Sequence, residues 1–292
     1  MPDTRDPRCA ARLMLGAVLA FACMDASMKL LSAHYAPLQV GALRGFASLP
    51  FVLAWAVIGH GWRSLRPVNH GLHLLRAAFG VAMMAGFVYG LARLPLSSAY
   101  AIGFVAPMLI TMMAVPILGE KVGPRRWLAI GLGLVGVLVI LRPGAGTISW
   151  AALAVLAAAF CYAASAITVR LLVRTDTPQA MVVWVLLLMG LGATALAWTD
   201  WTPLRAADYP VIALVGVFGA LGQVALTQAF RIGEASQIAP LEYTALVWTL
   251  LIDLMFWGVL PDAVTWAGAA IIIAGGLYLL HRERVHDGAS AP

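Results

Sequence analysis

Apolar residues make up 62% of this 292-residue chain, and charged residues make up only 11%. Soluble domains use roughly 45–50% apolar and about 25% charged residues, so the composition excludes an ordinary soluble protein and indicates a membrane protein. The net charge of +6 does not indicate nucleic-acid binding, because the basic residues lie in short segments between apolar runs, where they orient membrane proteins. We therefore expect the lipid bilayer, and no nucleic acid, as a partner.

Apolar runs of about bilayer length follow one another along the whole chain. A hydrocarbon core about 30 Å thick requires about 20 helical residues, and Pro, Gly and charged residues divide the runs. The predicted fold is an all-α membrane protein with ten transmembrane helices. Their approximate bounds are 12–32, 38–59, 71–92, 96–118, 125–142, 149–171, 179–198, 209–230, 235–257 and 263–281.

Lys and Arg are distributed unequally between the two sides of these spans. With the N-terminus in the cytoplasm, the inner segments carry 13 of the 19 basic residues, and the outer segments carry Arg93, Arg142 and Arg205. Inner loops of membrane proteins are enriched in Lys and Arg. We therefore expect a multi-pass protein of a bacterial-type inner membrane, with both tails, residues 1–11 and 282–292, in the cytoplasm.

The second five spans repeat features of the first five. The segment 92–101 corresponds to 230–239 at an offset of 138 residues, and Pro37 corresponds to Pro178 at an offset of 141. Because five is odd, the two copies are expected to cross the membrane in opposite orientations. Inverted repeats of this kind are typical of secondary transporters, which hold a substrate between the copies and expose it to each side in turn.

Ionisable side chains within the spans are candidates for function, because a charge at bilayer depth costs about 2.5–3.5 kcal/mol. Asp25 and Lys29 are one helical turn apart and can form an ion pair. Arg44 lies at a similar depth, where it can pair with Asp25 or bind an anionic group of a substrate. Asp253 is expected near the outer surface, as a partner of Lys29 or part of an outer gate.

Glu242 is the strongest candidate for coupling. It follows Pro240 near the middle of the ninth span, and proline loosens a helix by removing a backbone donor. Pro107 in the fourth span is expected to break its helix in the same way. Broken helices near the midplane hold transporter sites, so Glu242 can bind a substrate amine, carry a coupling proton, or pair with an Arg or a Tyr hydroxyl. Arg76 is expected at the cytoplasmic rim.

Several motifs resemble EamA-type members of the drug/metabolite transporter superfamily. The motifs are Pro37, Gln39, Ala42-Leu43-Arg44, Pro107, Gly119-Glu120-Lys121 and Trp127. The resemblance implies two EamA-type five-helix repeats, residues 12–142 and 149–281, around a central cavity. It also implies that aromatic and amide side chains line this cavity: Tyr89, Tyr100, Phe104, Tyr162, Gln223 and Tyr243. The halves are chemically unequal, since Glu242 stands where the first half has Phe104.

These features together predict a secondary transporter that moves a small amphipathic metabolite across the inner membrane by alternating access. By the resemblance, an amino acid or related compound is the expected substrate, and export the expected direction. Uptake of S-adenosylmethionine or a similar nucleoside metabolite is the alternative. A channel or an intramembrane enzyme is a second alternative, although no nucleophile–base, paired-acid or metal-binding motif indicates an enzyme. No cofactor, metal site or disulfide is expected, and the oligomeric state is open.

Overall fold

The computed structural model describes residues 7–119, 124–141, 149–172, 174–232 and 239–274, and the regular secondary structure within these ranges is helical. The α-helices are numbered here in chain order. They are α1 (Pro7–Leu31), α2 (Pro37–His60), α3 (His70–Leu91), α4 (Leu96–Gly103), α5 (Ala106–Leu118), α6 (Pro124–Leu141), α7 (Trp150–Leu172), α8 (Pro178–Ala197), α9 (Tyr209–Ile232), α10 (Ala245–Ile252) and α11 (Ala263–Ala274). A 3₁₀ turn, Ala239–Thr244, precedes α10, and a π-helical turn, Asp253–Trp257, follows it.

Among the described residues, seven helices are long and apolar enough to cross a bilayer, judged by length and composition. They correspond to the first four predicted spans and to the sixth, seventh and eighth, with α4 and α5 counted together. The fifth predicted span coincides with α6, the ninth with α10 and its flanking turns, and the tenth begins with α11. The prediction of an all-helical membrane protein is confirmed. That ten helices cross the membrane stays a prediction.

Several helix ends follow from local sequence. Pro37 and Pro178 occupy the first positions of α2 and α8, where the missing N–H of proline has no intrahelical partner to lose. Thr177 caps α8, because its Oγ1 accepts a hydrogen bond of 3.2 Å from the N–H of Ala180. At the other end of a helix, α5 stops at Gly119, whose φ of 71° is a left-handed conformation that favours glycine.

The helices pack in specific pairs. α1 packs along α9, α3 packs along α7, and α2 packs against both α8 and α9. α6 crosses α11 at two glycines: a Cβ on Gly136 would lie 2.8 Å from the carbonyl oxygen of Gly268, and a Cβ on Gly268 would lie 2.7 Å from that of Gly136. Small residues let helix backbones approach this closely in membranes, so both glycines are required by the crossing.

Two buried apolar clusters form the core. One centres on α2, α3 and α8 and includes Met84 and Leu186, and the other joins α1, α5 and α10 and includes Met108 and Leu246. Tyr100 on α4 packs against both clusters. The boundary between the clusters is therefore lined by α4, and the candidate site is built there.

Candidate functional site

Among the described residues, two helix breaks lie close to each other. α4 gives way to α5 at Phe104, three residues before Pro107. The described part of the ninth predicted span begins with the 3₁₀ turn Ala239–Thr244, which contains Pro240, and continues as α10. Proline lacks an N–H group, and its ring clashes with the carbonyl four residues earlier. The positions of both breaks therefore follow from the sequence.

Aromatic side chains connect the two breaks. The ring centroids of Phe104 and Tyr243 are 5.2 Å apart, those of Tyr100 and Phe104 are 6.3 Å apart, and those of Phe87 and Tyr100 are 6.1 Å apart. All three contacts are edge-to-face, a favoured geometry for aromatic pairs. We call Phe87, Tyr100, Phe104 and Tyr243 the aromatic ladder. Sequence reasoning missed Phe87, because its place in the ladder depends on the packing of α3 against α4.

A carboxylate and a guanidinium lie beside Tyr100. The Tyr100 hydroxyl donates a hydrogen bond of 2.6 Å to Asp25 Oδ2. Arg44 directs its Nε at the sulfur of Met24 and its Nη1 at the sulfur of Met84, both at 3.4 Å, and its charge also acts on Asp25. We call Asp25, Arg44 and Tyr100 the polar cluster. It brings together three residues that the sequence predicted on three different spans.

Glu242 lies next to Tyr243, at the other end of the ladder. Its charge acts on Tyr162 and Tyr243, and Tyr162 keeps 46% of its surface exposed. Arg76 also acts on Tyr162, and its Nη1 donates a hydrogen bond of 2.8 Å to the carbonyl of Met181. The sequence places Arg76 at the cytoplasmic rim, and this stays a prediction. The structure adds its partner, because the first turn of the neighbouring α8 supplies a backbone acceptor.

Asp253 binds the start of α4. Its side chain is fully buried and accepts hydrogen bonds from the backbone N–H groups of Leu96 (3.0 Å) and Ser97 (2.7 Å) and from the Ser97 hydroxyl (2.6 Å). Lys29 Nζ lies 3.7 Å from Asp253 Oδ1. The prediction that Asp253 partners Lys29 is confirmed. We call Lys29, Ser97 and Asp253 the Asp253 tie.

Lys29 is held from three directions. Besides Asp253, it donates a hydrogen bond of 2.7 Å to the carbonyl of Leu94 and lies 4.6 Å from the centroid of the Trp257 ring. Lys29 and Asp25 lie one helical turn apart on α1 and were expected to be able to pair. Lys29 makes these three contacts instead. Lys29 therefore belongs to the Asp253 tie, and Asp25 belongs to the polar cluster.

A third carboxylate binds the start of α3. Asp176, in the loop between α7 and α8, accepts hydrogen bonds from the N–H groups of Val68 (2.7 Å) and Asn69 (3.3 Å) and from the Thr175 hydroxyl (2.6 Å), and it lies 3.0 Å from His73 Nε2. Burial raises the pKa of Asp176, but the hydrogen bonds outweigh burial and lower the pKa to about 2. We call Asp176 and His73 the Asp176 tie.

Tyr89 and Gln223 are the two remaining residues that were predicted to line the cavity. The Arg93 guanidinium lies 3.7 Å from the centroid of the Tyr89 ring, and Tyr89 lines an open apolar groove together with Leu153 and Leu196. Gln223 lies on α9 and is half-buried. A role in substrate binding stays a prediction for both residues.

Comparison with known proteins adds a family match. The sequence matches the model of the EamA-like transporter family twice, over residues 9–142 and 149–280. It is 32% identical to a riboflavin transporter of Vibrio cholerae, in an alignment that covers 95% of this chain and 94% of that protein. It is 25% identical to an S-adenosylmethionine uptake transporter of Rickettsia prowazekii, with 89% of this chain and 88% of that protein covered.

A solved crystal structure has a similar fold. That structure has a TM-score of 0.64 and 17% sequence identity, and the superposition covers 92% of this chain and 95% of the other. The likeness concerns the course of the helices alone.

Proposed function

The chain belongs to the EamA-like transporter family, and from this premise we propose that it moves a flat heteroaromatic metabolite, first of all riboflavin, across a bacterial inner membrane by alternating access. Family membership makes the protein a transporter rather than an enzyme. The observation that carries the substrate proposal is the aromatic ladder, which shares Tyr100 with the polar cluster. Aromatic rings offer large apolar faces to a flat ligand, and tyrosine adds a polar group. The relative named as a riboflavin transporter supports the same substrate.

The proposed architecture is a pair of inverted five-helix repeats, residues 12–142 and 149–281. If the halves are related by symmetry, α1, α2 and α3 correspond to α7, α8 and α9. The α1–α9 pair then has the α7–α3 pair as its counterpart, and the α2–α8 pair is its own counterpart. All three pairs are observed. The α6–α11 crossing at Gly136 and Gly268 is also its own counterpart. A two-fold axis in the membrane plane produces such pairings, and the double family match gives independent support.

The proposed orientation places both termini in the cytoplasm, on the argument from Lys and Arg. The Asp253 tie then lies at the outer face and the Asp176 tie at the inner face. In a variant without native cysteines, a membrane-impermeant thiol reagent added to intact cells is expected to modify Ala206→Cys and to spare Arg63→Cys, both at exposed positions. The reverse pattern contradicts the orientation.

S-Adenosylmethionine is a second candidate substrate. Glu242 lies at the Tyr243 end of the ladder and suits a cationic metabolite, and a relative bears this substrate in its name. The expected amino-acid substrate and the expected export direction stay predictions. Between the candidates, we place riboflavin first because a continuous row of four aromatic side chains offers a large apolar surface to an extended flat ring.

Exchange of substrate across liposome membranes tests the proposal. Liposomes that contain the purified protein and unlabelled riboflavin inside are expected to take up labelled riboflavin transiently and saturably. Excess S-adenosylmethionine or a mixture of amino acids is added outside as a competitor in parallel assays. If riboflavin does not exchange, the assay is repeated with labelled S-adenosylmethionine or labelled amino acids, and exchange of one of these assigns the function to that substrate. A channel produces no transient accumulation of labelled riboflavin. If accumulation is absent and the flux does not saturate, the protein is not a carrier.

Proton coupling is proposed to run through Glu242. This residue lies beside Tyr243 at a helix break, and its charge acts on two tyrosine rings. Glu242→Gln is expected to make the transport rate independent of pH, because the amide cannot exchange a proton. Asp200→Asn, at an exposed position, is the matched control and is expected to keep the wild-type pH response. An unchanged pH response in Glu242→Gln rejects this role.

A further inference from the structure

We propose that Arg44 and Asp25 together recognise an imide edge, an N–H group flanked by two carbonyl groups, on a flat ring. The imide N–H donates a hydrogen bond to Asp25, and a flanking carbonyl oxygen accepts from Arg44. This inference rests on the proposed function and goes further, since it names the chemical group by which the site selects its substrate.

Arg44 keeps strong donor capacity for a ligand. A guanidinium carries five N–H donors, and thioether sulfur is a weak acceptor. Two of these donors face the sulfurs of Met24 and Met84 at 3.4 Å. Both methionines are almost fully buried and come from α1 and α3, on either side of the arginine on α2. They therefore hold the guanidinium in place while a better acceptor, such as a carbonyl oxygen, can replace the sulfurs as a partner.

Asp25 keeps acceptor capacity for the same ligand. An ionised carboxylate has about four lone-pair sites, and the Tyr100 hydroxyl uses one of them, on Oδ2. The Asp25 residue is 6% exposed, so a ligand donor reaches its remaining lone pairs only by entering the bundle. A single N–H group on the ligand meets this requirement.

The charges of the cluster select a neutral ligand group. The charges of Arg44 and Asp25 interact with each other. A ligand carboxylate is therefore attracted by Arg44 but repelled by Asp25, and a ligand ammonium group is attracted by Asp25 but repelled by Arg44. A neutral group with a donor beside an acceptor satisfies both side chains without adding a net charge to the membrane interior, where charge is costly. An imide is such a group.

Tyr100 fixes the polar edge relative to the aromatic surface. Its hydroxyl binds Asp25, and its ring contacts both Phe87 and Phe104. A ligand whose edge meets the polar cluster therefore has aromatic rings within one side chain of that edge. The isoalloxazine ring of riboflavin combines an imide edge with a flat apolar body, as this arrangement requires.

Methylation of the imide nitrogen tests the inference. Binding of riboflavin and of N3-methylriboflavin to the purified full-length protein is measured by quenching of flavin fluorescence. The wild-type protein is expected to prefer riboflavin at least about tenfold, a difference typical of one hydrogen bond to a charged group. Asp25→Ala is expected to bind both flavins equally. Arg93→Gln, which changes an arginine outside the polar cluster, is the matched control and is expected to keep the preference.

The ratio of the two affinities distinguishes the possible outcomes, because a partly unfolded variant loses both affinities equally. If the wild-type protein binds riboflavin without preference over N3-methylriboflavin, the imide inference is overturned and the proposed function stands. If Asp25→Ala keeps the wild-type preference, the methyl group is excluded by size alone, which also overturns the inference. If the wild-type protein does not bind riboflavin, both proposals fail.

Discussion

The Asp253 tie and the Asp176 tie use the same local chemistry at opposite ends of α3. In each, a buried carboxylate from the second half of the chain accepts hydrogen bonds from two consecutive backbone N–H groups at the start of a helix in the first half. The helix is α4 for Asp253 and α3 for Asp176. Helix N-termini leave N–H groups without partners and favour negative charge, so a carboxylate is a suitable cross-link in both places.

The two ties differ in what they connect. The Asp253 tie joins α1, α4 and the π-helical turn after α10. These segments adjoin the residues of the candidate site, since α1 carries Asp25 and α4 carries Tyr100. The Asp176 tie joins α3 to the loop between α7 and α8, and nearby the indole of Trp184 on α8 donates a hydrogen bond of 2.8 Å to the carbonyl of Leu65. In the proposed transport cycle, we expect the first tie to act as an outer gate and the second as a permanent joint.

Removing the Asp253 carboxylate is expected to have the largest effect. Asp253→Ala leaves the buried donors of Ser97 without their acceptor and Lys29 without its counter-charge. Breaking a buried charge pair in this way costs about 3–5 kcal/mol. We expect riboflavin exchange in liposomes to fall at least tenfold, and Asp253→Asn, which keeps an acceptor oxygen, to retain more activity. Unimpaired exchange by a correctly folded Asp253→Ala protein contradicts the gate.

Native Cys23 reports on whether the gate is open. It lies on α1, two residues from Asp25, and is partly exposed. In a protein without Cys9 and Cys161, Asp253→Asn is expected to speed the modification of Cys23 by an impermeant thiol reagent added outside, because the outer path opens more often. Asp176→Asn is expected to leave the modification rate unchanged. Equal acceleration by both variants means that the two ties have the same role.

The spans that the sequence predicts best are those that form a single uninterrupted α-helix. The second span was predicted as 38–59 and is observed as Pro37–His60, because a long apolar run between a proline and a polar loop leaves few alternatives. The ninth span was predicted as one helix over 235–257. Its described part consists of a 3₁₀ turn, a short α-helix and a π-helical turn, and hydropathy does not distinguish these three forms.

The sequence predicted the charged residues of the candidate site, because burying a charge in lipid is costly. It did not predict contacts that depend on how the helices pack. Asp25 and Glu242 were identified because lipid does not accept charge without a reason. The sulfur contacts of Arg44 were missed, because they depend on how α1 and α3 meet around it. Asp176 was missed because a loop carboxylate looks like a surface residue, and its partner Val68 is 108 residues away in sequence.

Removing the Asp176 carboxylate is expected to affect stability rather than transport. Asp176→Ala takes away an acceptor that joins the start of α3 to the loop before α8. We expect the melting temperature in detergent to fall by about 3–6 °C, as is usual for a loss of 1–2 kcal/mol in a protein of this size. Transport per folded molecule is expected to stay close to wild type. A strong loss of transport by stably folded protein shows that this tie is also part of the cycle.

Acid is expected to weaken the Asp176 tie selectively. The folded-state pKa of Asp176 is about 2, below the usual value of about 3.9 for an unfolded chain. The stability from this carboxylate is therefore fully present above pH 4 and is lost as the pH falls towards 2. The melting temperature of the wild type is expected to approach that of Asp176→Asn over this range. A constant difference between the two proteins from pH 5 to pH 2.5 contradicts the assignment.

The smallest effects are expected from the tryptophan beside each tie. The Trp257 ring lies 4.6 Å from Lys29 Nζ, and cation–π contacts contribute about 0.5–1 kcal/mol at exposed sites. Trp257→Leu is therefore expected to speed the outside labelling of Cys23 by about two- to fivefold. Trp184 packs against His73 with ring centroids 6.4 Å apart, and Trp184→Leu is expected to lower the melting temperature without changing the labelling. Because the two substitutions are identical in chemistry, an exchange of these outcomes assigns the gate to the Asp176 tie and the joint to the Asp253 tie.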